Sequence, residues 1–228
     1  MTSNRFFSLF ELLSTAALCI PALTLAQSAN SSNCGTLFSS GQYGPYDFRT
    51  DKDKLPIVLR AHFTHEVESL IRGISSGTPG GDIDYTLRAI PNHPSALIAM
   101  MRLAEKEKNP QPRGSNYTVE CWFERALQFR PDDNVVRMIY ATFLAKNGRT
   151  PQALEQLERV TATAGDNAFT HYNAGLIYFN IKDFDKALSQ AHKALALGLP
   201  RTELADQLKT AGKWTEPTAS DPSSAEKK

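Results

Sequence analysis

Laid over one another without a gap, residues 134–167 and 168–201 match small positions with small and apolar with apolar at an offset of 34. Ala141 meets Gly175, Phe143 meets Ile177, Leu144 meets Tyr178, Ala153 meets Ala187, Leu154 meets Leu188 and Val160 meets Ala194. The apolar spacing within each unit has the helical period, twice over. Small residues at 141/175 and 153/187 let two helices of a pair approach closely, and the larger residues a turn away fill the space between successive pairs. One pair cannot bury both of its faces, whereas a stack can.

The polar punctuation agrees. Asp132, Thr150, Asp166 and Asp183 are expected N-caps, Pro151 suits a first helical position, and Gly148, Gly165 and Gly198 suit helix stops. The pattern predicts helices over 133–147, 151–164, 167–180 and 184–197. Upstream it predicts a helix over 95–108 and another over 116–129, separated by Asn109-Pro110-Gln111-Pro112-Arg113-Gly114-Ser115, an insertion that is either a spacer or a binding loop. Two shorter helices are expected over 64–72 and 82–90, joined by the glycine-rich run 75–81, and a last one over 200–211.

Asn173-Ala174-Gly175-Leu176-Ile177-Tyr178, then Phe184-Asp185-Lys186-Ala187 and Lys193-Ala194-Leu195, closely resemble the signature of the tetratricopeptide repeat (TPR) family. The preceding unit resembles a weaker member: it keeps Gly148, Ala153 and Leu157 but has Tyr140-Ala141 in place of the usual Leu-Gly. Ala126 and Pro131 match the last small position and closing proline of a third, interrupted repeat. The resemblance covers roughly 95–211 and is strong over 134–198. It implies an all-α fold, a TPR-like α-solenoid of stacked antiparallel helix pairs with an irregular N-terminal segment and a C-terminal capping helix.

The resemblance also implies a binding role. In this family the first helix of each pair lines a concave groove, which maps groove positions onto Val135, Met138, Ile139, Thr142 and Lys146, and onto Phe169, Tyr172, Asn173, Leu176, Phe179 and Asn180. The family's clamp for a terminal carboxylate needs lysines, an arginine and asparagines, and only Asn173 falls on such a position. An apolar, aromatic groove favours a protein or peptide partner held by buried side chains, with Asn173 and Asn180 facing its backbone. The aromatic, turn-rich segment 41–49 either packs on the protein's own helices or is a recognition segment.

Arg5 followed by a largely apolar run over 12–26, ending Leu23-Thr24-Leu25-Ala26, reads as a secretory signal peptide. The run is shorter than the roughly 20 residues that cross a bilayer, and Pro21 interrupts it. The expected layout is thus a signal peptide over 1–26, an irregular segment over 27–62, short helices or an N-terminal cap over 63–94, a degenerate repeat over 95–133, repeats over 134–167 and 168–201, a capping helix over 202–212 and a disordered tail over 213–228. A periplasmic or secreted location follows, with no membrane insertion after cleavage.

Composition changes little: 41% hydrophobic and 21% charged residues are those of an ordinary globular chain. The formal charge of +1 gives nothing to attract nucleic acid or an anionic membrane. Without residues 1–26, two cysteines remain, Cys34 and Cys121, and an oxidising compartment favours their pairing, which would be worth roughly 4 kcal/mol in the chain-entropy model. His62, His65 and Glu66 form the densest local set of metal-ligand types, so a metal-dependent enzyme or enzyme subunit is the rival reading. Their spacing is not that of a metalloprotease helix, and no nucleophile elbow, phosphate-binding loop or dinucleotide fingerprint is present. A non-enzymatic scaffold or assembly factor needing no cofactor is the expected function; oligomeric state is open.

Overall fold

The computed structural model describes residues 34–38 and 42–217, all within one unit, Ser32–Lys228. Among these residues it is all-helical. In order they are α1 (Leu55–His62), α2 (His65–Glu68), α3 (Pro79–Ala89), α4 (Pro94–Glu107), α5 (Val119–Phe129), α6 (Asn134–Lys146), α7 (Thr150–Thr163), α8 (Ala168–Asn180), α9 (Phe184–Ala196) and α10 (Glu203–Thr210). The expected signal segment, 1–26, and the end of the expected tail, 218–228, lie outside the described residues.

The four helices α6 to α9 match the periodicity closely, but their caps differ in detail. Asp133, not Asp132, caps α6, its side chain accepting from the N–H groups of Val135 and Val136. Asn167, not Asp166, caps α8 through the N–H of Thr170, while Asp183 caps α9 as expected. Thr150 is the first residue of α7 rather than its cap. In each of the two shifted cases the residue nearer the helix has the extended backbone that lets a side chain fold back onto the third amide. Asp132 is left to pair with Arg49, 2.9 Å away. Gly148, Gly165 and Gly198 follow the helix ends with positive φ.

Helices α6 and α7, and α8 and α9, are joined by short turns and pack on each other, and α4 also packs on α6, α6 on α8 and α8 on α10. One continuous core runs through them, from Val67 and Ile83 by way of Trp122, Phe123 and Tyr140 to Tyr178 and Leu204. Small residues sit at the tightest points, with Ala141, Ala153, Ala174 and Ala187 fully buried. The Tyr140 hydroxyl and Arg149 both donate to Glu120, tying α5, α6 and the start of α7 together.

The insertion between α4 and α5 is internal packing. Asp84 of α3 accepts from the backbone N–H and side-chain amide of Asn116, and Trp122 donates its indole N–H to Ser115 at 2.9 Å. Gly80 lies so close to the Arg113 carbonyl that a Cβ would collide with backbone. Helix α3 begins at Pro79, inside the run expected to be a loop: Thr78 caps it through Gly81, and Gly80 faces the insertion where no side chain fits.

Two N-terminal expectations need correction. The segment 27–62 contains helix α1, whose Pro56 sits in the first turn, where its missing N–H costs nothing. The helix expected over 64–72 is only the single turn His65–Glu68, because Leu70 turns left-handed at φ 58 and hands its carbonyl to Lys106. At the other end Trp214 stands edge-on to His192, whose Nε2 lies 2.8 Å from the Thr215 carbonyl, so packing continues into the stretch expected to be a tail.

Residues 34–38 and 42–49 form a strap over this scaffold. Cys34 is joined to Cys121 of α5 by a disulfide spanning 87 residues. The buried guanidinium of Arg125 donates to the carbonyls of Cys34 and Thr36 at 2.7 and 3.0 Å. Further on, Tyr43, Tyr46 and Phe48 pack with Leu55, Val58 and Ile90, and Tyr46 donates to the Ala89 carbonyl. The aromatic segment therefore lies on α1 and the end of α3.

The strap ends in a buried polar hub. Asn92 donates to Asp47 at 2.7 Å and to Asp133 at 2.9 Å, and accepts from the Phe48 N–H. Burial alone would raise the Asp47 pKa, but hydrogen bonds from the Arg49 side chain and N–H and from Asn92 outweigh it and hold the carboxyl well below the usual range. Arg130 adds a second cation, 2.6 Å from Asp47.

Beside the hub, His93 caps α4 by accepting from the Ala96 N–H through Nδ1, between the rings of Phe48 and Phe63. Burial lowers its pKa from 6.5 to about 4. Between those two pH values the unfolded chain binds a proton that the folded one refuses, so stability is full above pH 6.5 and falls as pH drops towards 4. The loss should approach about 3 kcal/mol, and urea unfolding at pH 7, 6, 5 and 4 measures it. His93→Asn, which retains a capping acceptor, should flatten that slope; an unchanged slope would show that His93 does not carry it.

Candidate functional site

Clefts lie between α4 and α6, between α6 and α8, and between α8 and α10. The α4/α6 cleft, about 300 Å³, is bordered by Met101, Glu105, Lys108 and Phe143. The α6/α8 cleft, about 440 Å³, is bordered by Thr142, Lys146, Asn180 and Lys182. The α8/α10 cleft, about 530 Å³, is bordered by Phe179, Glu203, Asp206 and Thr210. Helix α8, which separates the last two, is AFTHYNAGLIYFN and carries no lysine, arginine, aspartate or glutamate.

The residues expected along the groove divide by exposure. Val135 and Phe169, each the second residue of its helix, are 46% and 56% exposed. Asn173, Asn180 and Lys146 are exposed, and Lys146 reaches Glu105 at 3.0 Å. Ile139, Leu176 and Phe179 are half-buried against the core, and Thr142 is spent on the Met138 carbonyl.

Met138 and Tyr172 are buried and do not line an open surface, contrary to expectation. The reason lies in neighbours that sequence spacing cannot reveal. The Tyr172 hydroxyl donates to Glu203 of α10 at 3.0 Å, and Arg201 lies over both Tyr172 and Phe169. Burial, Glu203's hydrogen bond and its charge raise the Tyr172 pKa, so the phenol stays neutral and remains a donor. Glu203, Asp206 and Lys182 were missed by the resemblance, since they sit outside its two strong units or in a turn.

The metal-ligand types at 62–66 diverge. His62 turns its Nδ1 to Asp82 at 2.9 Å and stacks on Tyr85, Glu66 accepts from the Thr64 hydroxyl, and His65 lies exposed beside Ser69. Asp82 in turn accepts from the N–H groups of Ile74 and Ser76, so the pair fastens the 74–78 loop to α1. Among the described residues, the group of three ligand atoms close enough for one ion is Cys34, Cys121 and Glu124, and both its sulfurs are spent in the disulfide. The other histidines are likewise engaged: His171 bridges Gln190 and the Gly165 carbonyl.

No protein-family model, curated protein or solved structure matches this chain. The face must therefore be interpreted from its own chemistry. It combines exposed apolar side chains at helix starts, amides on α8 and charged rims on either side. The clefts are open to solvent rather than enclosed. No helix among the described residues is long and apolar enough to cross a membrane.

Proposed function

We propose that this protein is an exported, TPR-like binding module that holds a polypeptide along the face formed by α4, α6, α8 and α10, acting as a scaffold or assembly factor rather than a catalyst. The single observation that carries the proposal is the exposure of Val135 and Phe169 on consecutive first helices at the same phase of the 34-residue pattern. Apolar side chains exposed at the same phase of two repeated units favour a partner that covers them. The sequential packing of the first helices supports a solenoid, and the disulfide supports an oxidising compartment.

The strap reinforces the reading. Its described residues lie on α1, α3 and α5, so the expected groove is not filled by 42–49. Affinity capture of crosslinked partners by the mature protein tests the proposal when run beside Val135→Asp and Phe169→Asp. Both substitutions lie at exposed positions and should cost under about 1 kcal/mol of stability while removing at least nine-tenths of any captured partner. Partners retained in full by both variants would place the binding surface elsewhere. Substituting buried Tyr172 would not make the distinction, because it also removes a core side chain.

A further inference from the structure

We propose that Glu124 guards the Cys34–Cys121 bond against negatively charged thiols, so that the reductant able to open this anchor of the strap carries a positive charge beside its sulfur. The observation behind it is a contact. Glu124 Oε2 lies 2.9 Å from the Cys34 sulfur, and a Glu124 oxygen lies within 4.8 Å of the Cys121 sulfur as well. Helix α5 makes this arrangement, because residues 121 and 124 are three apart and share one of its faces. The Glu124 side chain is half-buried, so salt and water screen its charge less than they would in the open.

The chemistry is thiol–disulfide exchange. An external thiolate attacks one sulfur of the bond and expels the other as a thiolate, leaving a mixed disulfide. Cys121 is 6% exposed within its helix, whereas Cys34 on the strap is half-buried, so the attack falls on Cys34 and Cys121 leaves. A second thiolate then attacks the reagent's own sulfur and releases Cys34. In sum, two reagent thiols are oxidised to one disulfide, and their two protons end on the thiols of Cys34 and Cys121. The incoming anion has to reach a sulfur that already touches a carboxylate. Two like charges roughly 5 Å apart in a half-solvated site repel enough to slow the step about tenfold. An ammonium two carbons from the attacking sulfur offsets that repulsion.

The neighbouring charges have other work. Arg125 follows Glu124 in the chain, but its buried guanidinium donates to the carbonyls of Cys34 and Thr36 and lies over the Tyr117 ring. Glu120, one turn before Glu124 on α5, accepts from Arg149 and from the Tyr140 hydroxyl. Opening the disulfide removes the covalent tether that keeps the Cys34 and Thr36 carbonyls over Arg125. Glu124 thereby selects which reductants can loosen the strap from the helical body.

The test follows reduction of the mature, oxidised chain by gel-shift labelling of the freed thiols. The reductants are glutathione, 2-mercaptoethanol and cysteamine, whose thiolate forms run from doubly anionic through singly anionic to neutral overall, and rates are compared per thiolate. Glu124→Gln should speed reduction by glutathione about tenfold, by 2-mercaptoethanol less, and by cysteamine less than about twofold. Glu124→Asp, which keeps the charge, should keep the wild-type order of the three reagents. An equal acceleration of all three by Glu124→Gln would mean a loosened strap rather than a lost charge and overturns the proposal, as does no acceleration. Should the variant fail to fold, the wild-type chain decides: high salt should raise the glutathione rate and leave the cysteamine rate in place, and equal salt effects on both overturn the proposal. Mass spectrometry of the trapped mixed disulfide locates the attack. Glutathione on Cys34 supports the stated direction, and glutathione on Cys121 overturns it.

Discussion

Cys34→Ser and Cys121→Ser should each lower the unfolding free energy by about 4–5 kcal/mol, the chain-entropy value for a closed loop of 87 residues. The two substitutions break one bond, so the double variant should lose little more than either single one. The consequence reaches past the crosslink. With Cys34 released, the carbonyls of Cys34 and Thr36 that receive the Arg125 guanidinium are no longer held over it. Arg125 is 2% exposed and lies against the rings of Tyr117 and Trp122, so its charge then needs water in a site shaped to exclude it. Urea unfolding of the three variants beside the wild-type chain decides the matter. Single-variant losses below about 1 kcal/mol would mean that the strap does not constrain the helical body.

Asn92→Asp should cost about 4 kcal/mol at neutral pH, on the scale of breaking a buried charge network. The substitution is nearly isosteric, so packing is unchanged and the effect is electrostatic. The native amide supplies both donors to Asp47 and Asp133. A carboxylate in its place would add a third negative charge to that cluster, and Arg49 and Arg130 are already engaged with the first two. The deficit should shrink as pH falls towards 5, because a protonated carboxyl regains one donor. Differential scanning calorimetry across that range checks both the size and the pH trend. A constant deficit would point to a steric cause instead. Asn92 is an effective reporter because it joins three places far apart in the chain: the strap at 47–48, the turn before α4 and the cap of α6.

How much of this was legible in the sequence depends on the range of the interactions concerned. α6 to α9 appeared within a residue or two because their boundaries rest on local chemistry: an apolar stripe of helical period, a side chain that can cap, a glycine that can turn left-handed. Even there the capping residue moved by one at Asp133 and Asn167, since two neighbouring polar residues are equivalent until the backbone angles are known. α1 was missed because eight residues with a proline in the first turn give too short a period to separate from an irregular segment. The overlong expectation at 64–72 failed for a tertiary reason: Leu70 is held left-handed, with its carbonyl taken by Lys106 from another helix.

The candidate face divides along the same line. The 34-residue pattern put Val135 and Phe169 at one phase of α6 and α8, because position on a helix is set by counting. Counting could not tell that Met138 and Tyr172 at equivalent phases are covered, since what covers them comes from helices that only packing brings alongside. The sequence by itself determined a helical chain with a repeating pair, through short-range periodicity and composition. Only the tertiary structure decided that 42–49 lies on α1 and α3, that the 109–115 insertion is locked against Gly80 and Asp84, and that Tyr172 is covered by Glu203 of α10. Those outcomes depend on residues tens of positions apart meeting in space, a juxtaposition that side-chain volume and hydrogen-bond satisfaction select only once the helices are packed.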